Sequence, residues 1–473
     1  MRPFSKTGFL SILALLAGCA LEQAKHELPA LELPQAWKDS APRYAEDGRW
    51  WQIYGDPQLD ALVDEAIQHN ADLAIAVARV DESRALSREA ESLFWPSVDA
   101  RAAASRQQIS QRTATFFPGV PTRYNDYRAT LNVSYEVDIF GRLRAGARAA
   151  KAELQADEAA RDAVRLAVAA QVAQSYFGLR ALDERVEITR ETVRLREDAL
   201  GLQKKRFDGG VISEFEYRQL EAEAAAVRSQ LPPLEAARDA QEAALLALIG
   251  KNPREIFEGA VSRKTAYNEA PSAPVLPSGV PSELLLRRAD LVEAERVLAA
   301  TDARVDAARA DMFPSITLTG AYGVASSSLS NLFTGPAGIW ALGAGLVQPI
   351  FQGGRLQARS EAAQARQRQA LAQYQRAIQN AFSEVRSALI VQSRARESYE
   401  AQSTRAEALA TTARLARLRY VNGVASQLDV LDAERGLLDA RSARIEALRA
   451  HRAAHHECKG RAGVHRQEGT ARP

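Results

Sequence analysis

Only two cysteines occur in the 473 residues, Cys19 and Cys458, and histidines number six. Two distant cysteines build no disulfide framework and offer no paired metal-ligand spacing. His451, His455, His456 and Cys458 crowd together near the end, but in a basic, unpatterned stretch, so no metal site is expected there. Aromatic residues make up only 7%, while Ala, Arg, Glu and Gln dominate, which favours long helices over a mixed α/β globule. Charge of one sign is also lacking: 61 basic and 59 acidic side chains leave a net +2, and no basic patch carries interleaved aromatics. A nucleic-acid partner is therefore not expected. No run approaches the ~20 apolar residues of a membrane-spanning helix. That excludes a helical membrane protein and leaves a β-stranded one open. Phosphate-binding loops, H-E-x-x-H, G-x-S-x-G and C-x-x-C motifs are missing too, so neither an enzyme nor a cofactor is expected.

What is present begins with a secretory signal. Arg2 and Lys6 precede the short apolar core Phe9–Ala17, and small residues lead up to Cys19. Leu16-Ala17-Gly18-Cys19 resembles the bacterial lipoprotein cleavage box, which implies removal of residues 1–18 and acylation of Cys19. Ala20, rather than Asp, follows the cysteine, and this implies an outer-membrane destination. Several acyl chains at ~0.8 kcal/mol per buried CH₂ anchor stably in lipid.

The chain is also written twice. Ala71–Val98 aligns without gaps onto Ala289–Ile316, and both stretches end in an aromatic residue followed by Pro-Ser. Asp138–Leu143 answers Pro349–Leu356 after a two-residue insertion, and Arg206–Val211 answers Arg419–Val424. Each copy predicts a helix (57–93; 282–311), two strands (95–105 with 126–139; 314–324 with 339–351), a very long helix (142–206; 355–419) and a return helix (213–248; 426–450). Helices of about 65 residues would span roughly 100 Å each, so an elongated protomer replaces the three ordinary domains that length alone suggests. Leu179, Val186, Val193 and Leu200 recur every seven residues, the period of a left-handed supercoil.

The clearest strand is 127–139. Tyr127, Ala129, Leu131, Val133, Tyr135, Val137 and Ile139 alternate strictly with Arg128, Thr130, Asn132, Ser134, Glu136 and Asp138. In the second copy Ile316, Leu318, Tyr322 and Val324 alternate with Thr317, Thr319 and Gly323. Trp95, Phe116, Phe117, Tyr124, Phe313, Trp340 and Phe351 lie near strand ends, as in the aromatic girdles of a membrane barrel. A soluble sheet packed on a core is the competing reading. Four strands cannot close a pore alone, and open edges in lipid are costly, so several chains must share one barrel. Eight, twelve or sixteen strands all satisfy that argument.

These features carry a resemblance. The box at Cys19, Trp50-Trp51 ahead of Tyr54–Leu59, Asn70–Leu73, Ser134–Arg142, Leu284–Leu291 and Pro349–Phe351 together resemble the outer-membrane factor lipoproteins (NodT type, TolC-like fold) of resistance–nodulation–division tripartite efflux pumps. The resemblance implies a mostly α fold with a transmembrane β-barrel. Four strands per protomer would complete a 12-stranded barrel in a homotrimer, with long coiled-coil helices in the periplasm. It implies a passive exit duct in the outer-membrane lipid, joined by a periplasmic adaptor (membrane fusion) protein to an inner-membrane pump. The domain reading is signal 1–18, lipidated linker 19–55, repeat one 56–262, linker 263–281, repeat two 282–450 and an atypical polar tail 451–473.

At the turns between long and return helices, Gly210 and Gly423 suit a left-handed helix end. Ser213 with Glu216 and Ser426 with Asp429 read as capping boxes. Asp429 and Asp432, three residues apart, share one helix face and match the family's tip motif, which implies that they line the periplasmic aperture. The resemblance assigns adaptor contact to the same tips, Arg206–Glu216 and Arg419–Asp432, and the polar residues Arg128 to Asp138 are expected to face the lumen. The export duct of a type I protein secretion system, and a periplasmic coiled-coil scaffold without a pore, are the alternative functions.

Overall fold

The computed structural model describes residues 49–112, 119, 121–263 and 288–461, the last seven by backbone alone. Cys19, Phe116, Phe117 and the motif Leu284–Arg287 lie outside the described residues. Two compact units form, one from residues 80–157 and 294–374, the other from 49–79, 158–263, 288–293 and 375–461.

A 3-10 helix, Trp50–Tyr54, leads into helices α1 (Pro57–His69) and α2 (Ala71–Ser92). Strands β1 (Ser97–Gln108) and β2 (Arg123–Val137) follow, then α3 (Arg142–Asp208), α4 (Glu214–Leu248) and the short α5 (Pro253–Glu258). The second copy runs α6 (Ala289–Ala310), β3 (Ser315–Ser326), β4 (Gly338–Val347), α7 (Arg355–Val421) and α8 (Gln427–Arg461). Both long helices have 67 residues and both return helices 35. The repeat seen in the sequence is thus a repeat of structure.

Besides shifts of three residues at the end of β1 (Gln108 against 105) and the start of β2 (Arg123 against 126), four boundaries differ from expectation. The helix predicted over 57–93 breaks at Asn70, whose backbone is extended. Its Oδ1 accepts the Leu73 amide at 3.1 Å and its Nδ2 donates to the Leu248 carbonyl at 2.8 Å. Asn competes with helical backbone in this way, ending one helix and opening the next. Second, β2 stops at Val137, because the Asp138 carboxylate accepts the amides of Leu143 and Arg144 at the start of α3. Third, β4 stops at Val347, and Ile350 and Phe351 stand 93% and 88% exposed beyond it. Fourth, α8 does not end near residue 450: it continues to Arg461, with His451 and Arg452 buried. The tail reading is corrected to that extent, since Arg452 lies over the Phe177 ring at 5.2 Å.

Pro232 and Pro233 sit inside α4. Both are exposed, so the carbonyls left without N–H donors can take water, which lowers the ordinary cost of an interior proline.

The core of the second unit forms where the N-terminal segment covers α3. Trp50, Trp51, Tyr54, Leu59 and Val63 pack with Val172, Tyr176, Phe177 and Leu179, and with Leu245, Ile249 and Leu448. Each such side chain contributes ~1.5–3 kcal/mol on burial. The Tyr176 hydroxyl donates to Asp56 at 2.8 Å. Burial first, and that bond second, hold the phenol protonated. Asp56 also caps α1 through the Gln58 amide at 3.0 Å, so one carboxylate fixes the helix start and ties it to α3. The other unit has a thinner core, Val305, Ala308 and Ala363.

The heptad expectation holds in part. Val172, Leu179 and Val186 are buried at seven-residue spacing. Beyond them the buried positions on α3 become Thr189, Arg196 and Gln203, also seven apart but polar. Toward its turn, the helix seam changes chemistry.

Candidate functional site

The four strands pair in the order β1-β2-β3-β4, every pair antiparallel. Register assigns each residue to a face. Arg128 opposes Ala103, Thr130 opposes Arg101, Asn132 opposes Asp99 and Ser134 opposes Ser97. Ser134 and Glu136 oppose Thr319 and Thr317, which in turn face Gly343 and Gly345. Arg128, Thr130, Asn132, Ser134 and Glu136 therefore share one face of the sheet. Asp138 falls one residue past the strand, as the cap described above.

Asp126, Arg128 and Glu136 on that face are in ion pairs. Arg128 meets Asp126 at 3.0 Å and Arg142 meets Glu136 at 2.6 Å, while Arg144 holds Asp138 at 3.2 Å just beyond. Glycine is required once here: a Cβ on Gly323 would stand 2.1 Å from the Ala129 carbonyl oxygen, so only glycine lets β3 approach β2.

The opposite face collects Val98, Leu131, Val133, Leu318, Tyr322, Trp340, Leu342 and Leu346 by the same register. All eight are exposed, Leu342 to 81%. A soluble sheet would bury such a face on a core; this one has none against it among the described residues. No described helix is long and apolar enough to cross a membrane. The outer edges of β1 and β4 have no strand neighbour among the described residues.

The two helix turns close by the same set of hydrogen bonds. The Val211 amide bonds to the Arg206 carbonyl and the Gly210 amide to Phe207; Val424 and Gly423 bond to Arg419 and Tyr420 in the same way. These are paired Schellman closures, with φ of 71° at Gly210 and 72° at Gly423. Ser213 Oγ accepts the Glu216 amide at 3.2 Å, and Glu216 accepts the Ser213 amide at 2.9 Å. Ser426 and Asp429 repeat that box at 3.2 and 2.8 Å. The backbone amide, then the hydroxyl, pull the pKa of Glu216 and of Asp429 below the ordinary carboxylate value. Both acids are therefore charged at neutral pH. Asp432 is exposed on the same helix as Asp429, 3.8 Å from Arg435.

Sequence reasoning missed the ion network behind the second turn. Arg196 on α3, with its side chain 6% exposed, meets Glu434 on α8 at 3.2 Å and donates to the Leu431 carbonyl at 3.3 Å. Arg417 on α7 pairs with the other Glu434 oxygen, and Arg435 pairs with Glu223 on α4. Burial lowers the Arg196 pKa, and Glu434 opposes the shift. The seven-residue spacing of Thr189, Arg196 and Gln203 was the available signal.

His451 stacks on Tyr399 with centroids 6.1 Å apart. Burial, then Arg396 and Arg452, lower its pKa. Among the described residues no group of His, Cys, Asp and Glu could hold a metal ion.

Comparison with known proteins places these features. The family described as outer membrane efflux protein matches residues 62–251 and 280–456. The chain is 32% identical over 454 residues to the cation efflux system protein CusC of Escherichia coli K12, covering 94% of this chain and 96% of that one. It is 32% identical over 441 residues to the antibiotic efflux pump outer membrane protein ArpC of Pseudomonas putida, covering 91% and 89%. The solved Campylobacter jejuni CmeC outer membrane channel matches with a TM-score of 0.85 at 25% identity, over 94% of each chain. An exposed apolar sheet face, which a soluble fold would hide, has its reason in this company: the chain belongs to the outer membrane efflux protein family and is a non-enzymatic channel component of an efflux system in the bacterial outer membrane.

Proposed function

We propose that three copies of the chain close a 12-stranded barrel and form a passive duct, through which a periplasmic adaptor and an inner-membrane resistance–nodulation–division pump discharge small molecules. The amphipathic four-stranded sheet, whose two outer edges have no strand partner among the described residues, carries this reading. In lipid each unpaired backbone group costs several kcal/mol, so an open sheet must find strands from other copies. With lipid against the face of Trp340 and Leu342, the lumen receives Arg128, Thr130, Asn132, Ser134 and Glu136. Three is the copy number that the family resemblance implies.

The strand ends that run into helices then face the periplasm, and the hairpin ends face outward. Asp429 and Asp432 become rings of three carboxylates at the periplasmic aperture, charged rings being a common basis of ion selection. The tip residues Gly210, Ser213, Glu216, Gly423 and Ser426 shape the surface presented to the adaptor, and acylated Cys19 adds an anchor in lipid. The reading is independent of cargo, since a cation exporter and an antibiotic exporter are equally identical to the chain.

Detergent-purified protein is expected to migrate as a trimer that heat converts to monomers, and to form discrete channels in planar bilayers. Monomers that leave bilayers silent would overturn the proposal and restore the scaffold reading.

A further inference from the structure

The two sheet faces differ in more than polarity. Asp99, Arg101, Asp126, Arg128 and Glu136 all lie on the face assigned to the lumen. The opposite face carries, in the described strands, only two charged side chains, Arg106 and Arg123. They are not scattered. Arg106 opposes Asn125 and Gln108 opposes Arg123, so the two arginines are diagonal neighbours at the hairpin end of β1 and β2. Such diagonal positions lie ~7–8 Å apart, within reach of one ligand for long side chains.

Their level along the strand is also marked. The outward residues of β2 are continuously apolar or aromatic from Val137 to Tyr127, then turn polar at Asn125. Ten steps at ~3.3 Å, tilted by about 40°, give an apolar height of roughly 25 Å, the height of a barrel's lipid-facing band. The arginines therefore stand where the hydrocarbon ends and headgroups begin.

Neither arginine makes an ion pair with any described carboxylate, and both are exposed. Arg123 gives Nε to Gln108 Oε1 at 2.9 Å, which fixes its guanidinium and leaves the remaining donors for another acceptor. Two unneutralised guanidinium groups on an otherwise uncharged, lipid-level face match an anion of phosphate chemistry.

We propose that Arg106 and Arg123, braced by Gln108, form an outward-facing cradle for the phosphate-bearing headgroup of an outer-leaflet lipid. The inference rests on the duct reading, because it requires the apolar face to lie in lipid. It differs from the acyl anchor at Cys19 in place and in chemistry: the cradle is non-covalent and lies at the hairpin end of the sheet.

The test titrates purified full-length trimers in neutral detergent with bisphosphorylated lipid A and with its dephosphorylated form, reading bound lipid by native mass spectrometry. Wild type is expected to retain the phosphorylated lipid preferentially, and R106Q/R123Q to bind it about tenfold more weakly. R101Q removes the same charge from the opposite face of β1 and is expected to bind as wild type does. Inorganic phosphate at equal concentration is expected not to compete. Undiminished binding by R106Q/R123Q, an equal loss in R101Q, or equal competition by inorganic phosphate would each overturn the cradle. Trimer migration and conductance of the same preparations keep the two readings apart. If both persist while lipid binding ignores the substitutions, the cradle fails and the duct stands; if wild type forms neither trimers nor channels, the duct itself fails.

Discussion

At Gly210 and at Gly423 the chain leaves a 67-residue helix by the same pair of hydrogen bonds and restarts through the same Ser-acid box. The side chains set on those two frames diverge. Phe207 of the first turn stacks on Tyr217 at 5.2 Å, with Lys204 and Arg218 near the Tyr217 ring. At the matching position of the second turn, Tyr420 accepts from Gln203 and Arg206 of α3 at 3.2 Å each. Gln219 of the first return helix becomes Asp432 in the second. Glu221, which pairs with Arg218 on its own exposed surface, becomes Glu434, which holds the buried Arg196. Backbone demands kept the frames alike, whereas neighbouring helices and charge set the rest. The first turn is an aromatic surface of balanced charge; the second carries the extra carboxylate Asp432 and is locked to its neighbours.

The largest effect should come from the lock. Glu434→Gln leaves the buried Arg196 guanidinium with neutral oxygen acceptors and without the carboxylate that meets it at 3.2 Å, at a cost of roughly 3 kcal/mol. Its counterpart Glu221→Gln removes an exposed pair and should cost under about 1 kcal/mol. Denaturant unfolding of the detergent-solubilised protein, followed by helical circular dichroism, measures both. Equal losses would erase the claimed asymmetry.

Next comes the charge of the proposed aperture. Asp432→Asn leaves the capping box intact, because Asp429 makes the box. It is expected to weaken block of the open channel by divalent cations about tenfold. Gln219→Asp, which gives the first turn the same carboxylate, is expected to leave block unchanged if only the second turn faces the axis. Conductance titrations with the two variants decide this, and an equal response would place both turns at the aperture or neither.

These contrasts also show what the sequence could and could not disclose. The strict alternation of Tyr127–Val137, the glycine and serine of each turn, and the proline-free length of α3 and α7 are local signals, and the structure follows them closely. Asn70 was hidden because a break made by one side chain leaves the hydrophobic period unbroken on either side. Asp138 kept the alternation yet spent its carboxylate on the amides of α3. Arg196, Glu434, Arg417 and Tyr420 could not be read as a site, since their contacts join segments that only the fold brings together. The continuation of α8 past residue 450 was concealed by its basic, His-rich composition, although His451 and Arg452 are buried in packing.

The smallest expected effects lie where the turns are most alike. Ser213→Ala and Ser426→Ala should each cost about 1 kcal/mol, the usual value for an N-cap hydroxyl, and by nearly equal amounts. Acidity provides a second reading of the same boxes. Because the folded pKa of Glu216 and of Asp429 is depressed from 4.5 and 3.8, each contributes stability that is fully present above those ordinary values. That contribution fades as pH falls through the lower folded pKa, when the unfolded chain already holds the proton. Neutral pH therefore leaves both boxes intact, and acidification below about pH 4 should loosen both turns together. Amide hydrogen exchange at Glu216 and Asp429 across that range is the direct check. If one amide lost protection well above the other's pH, the two frames would differ in strength as well as in equipment, and the likeness of their backbone bonds would not be what sets the stability of a turn.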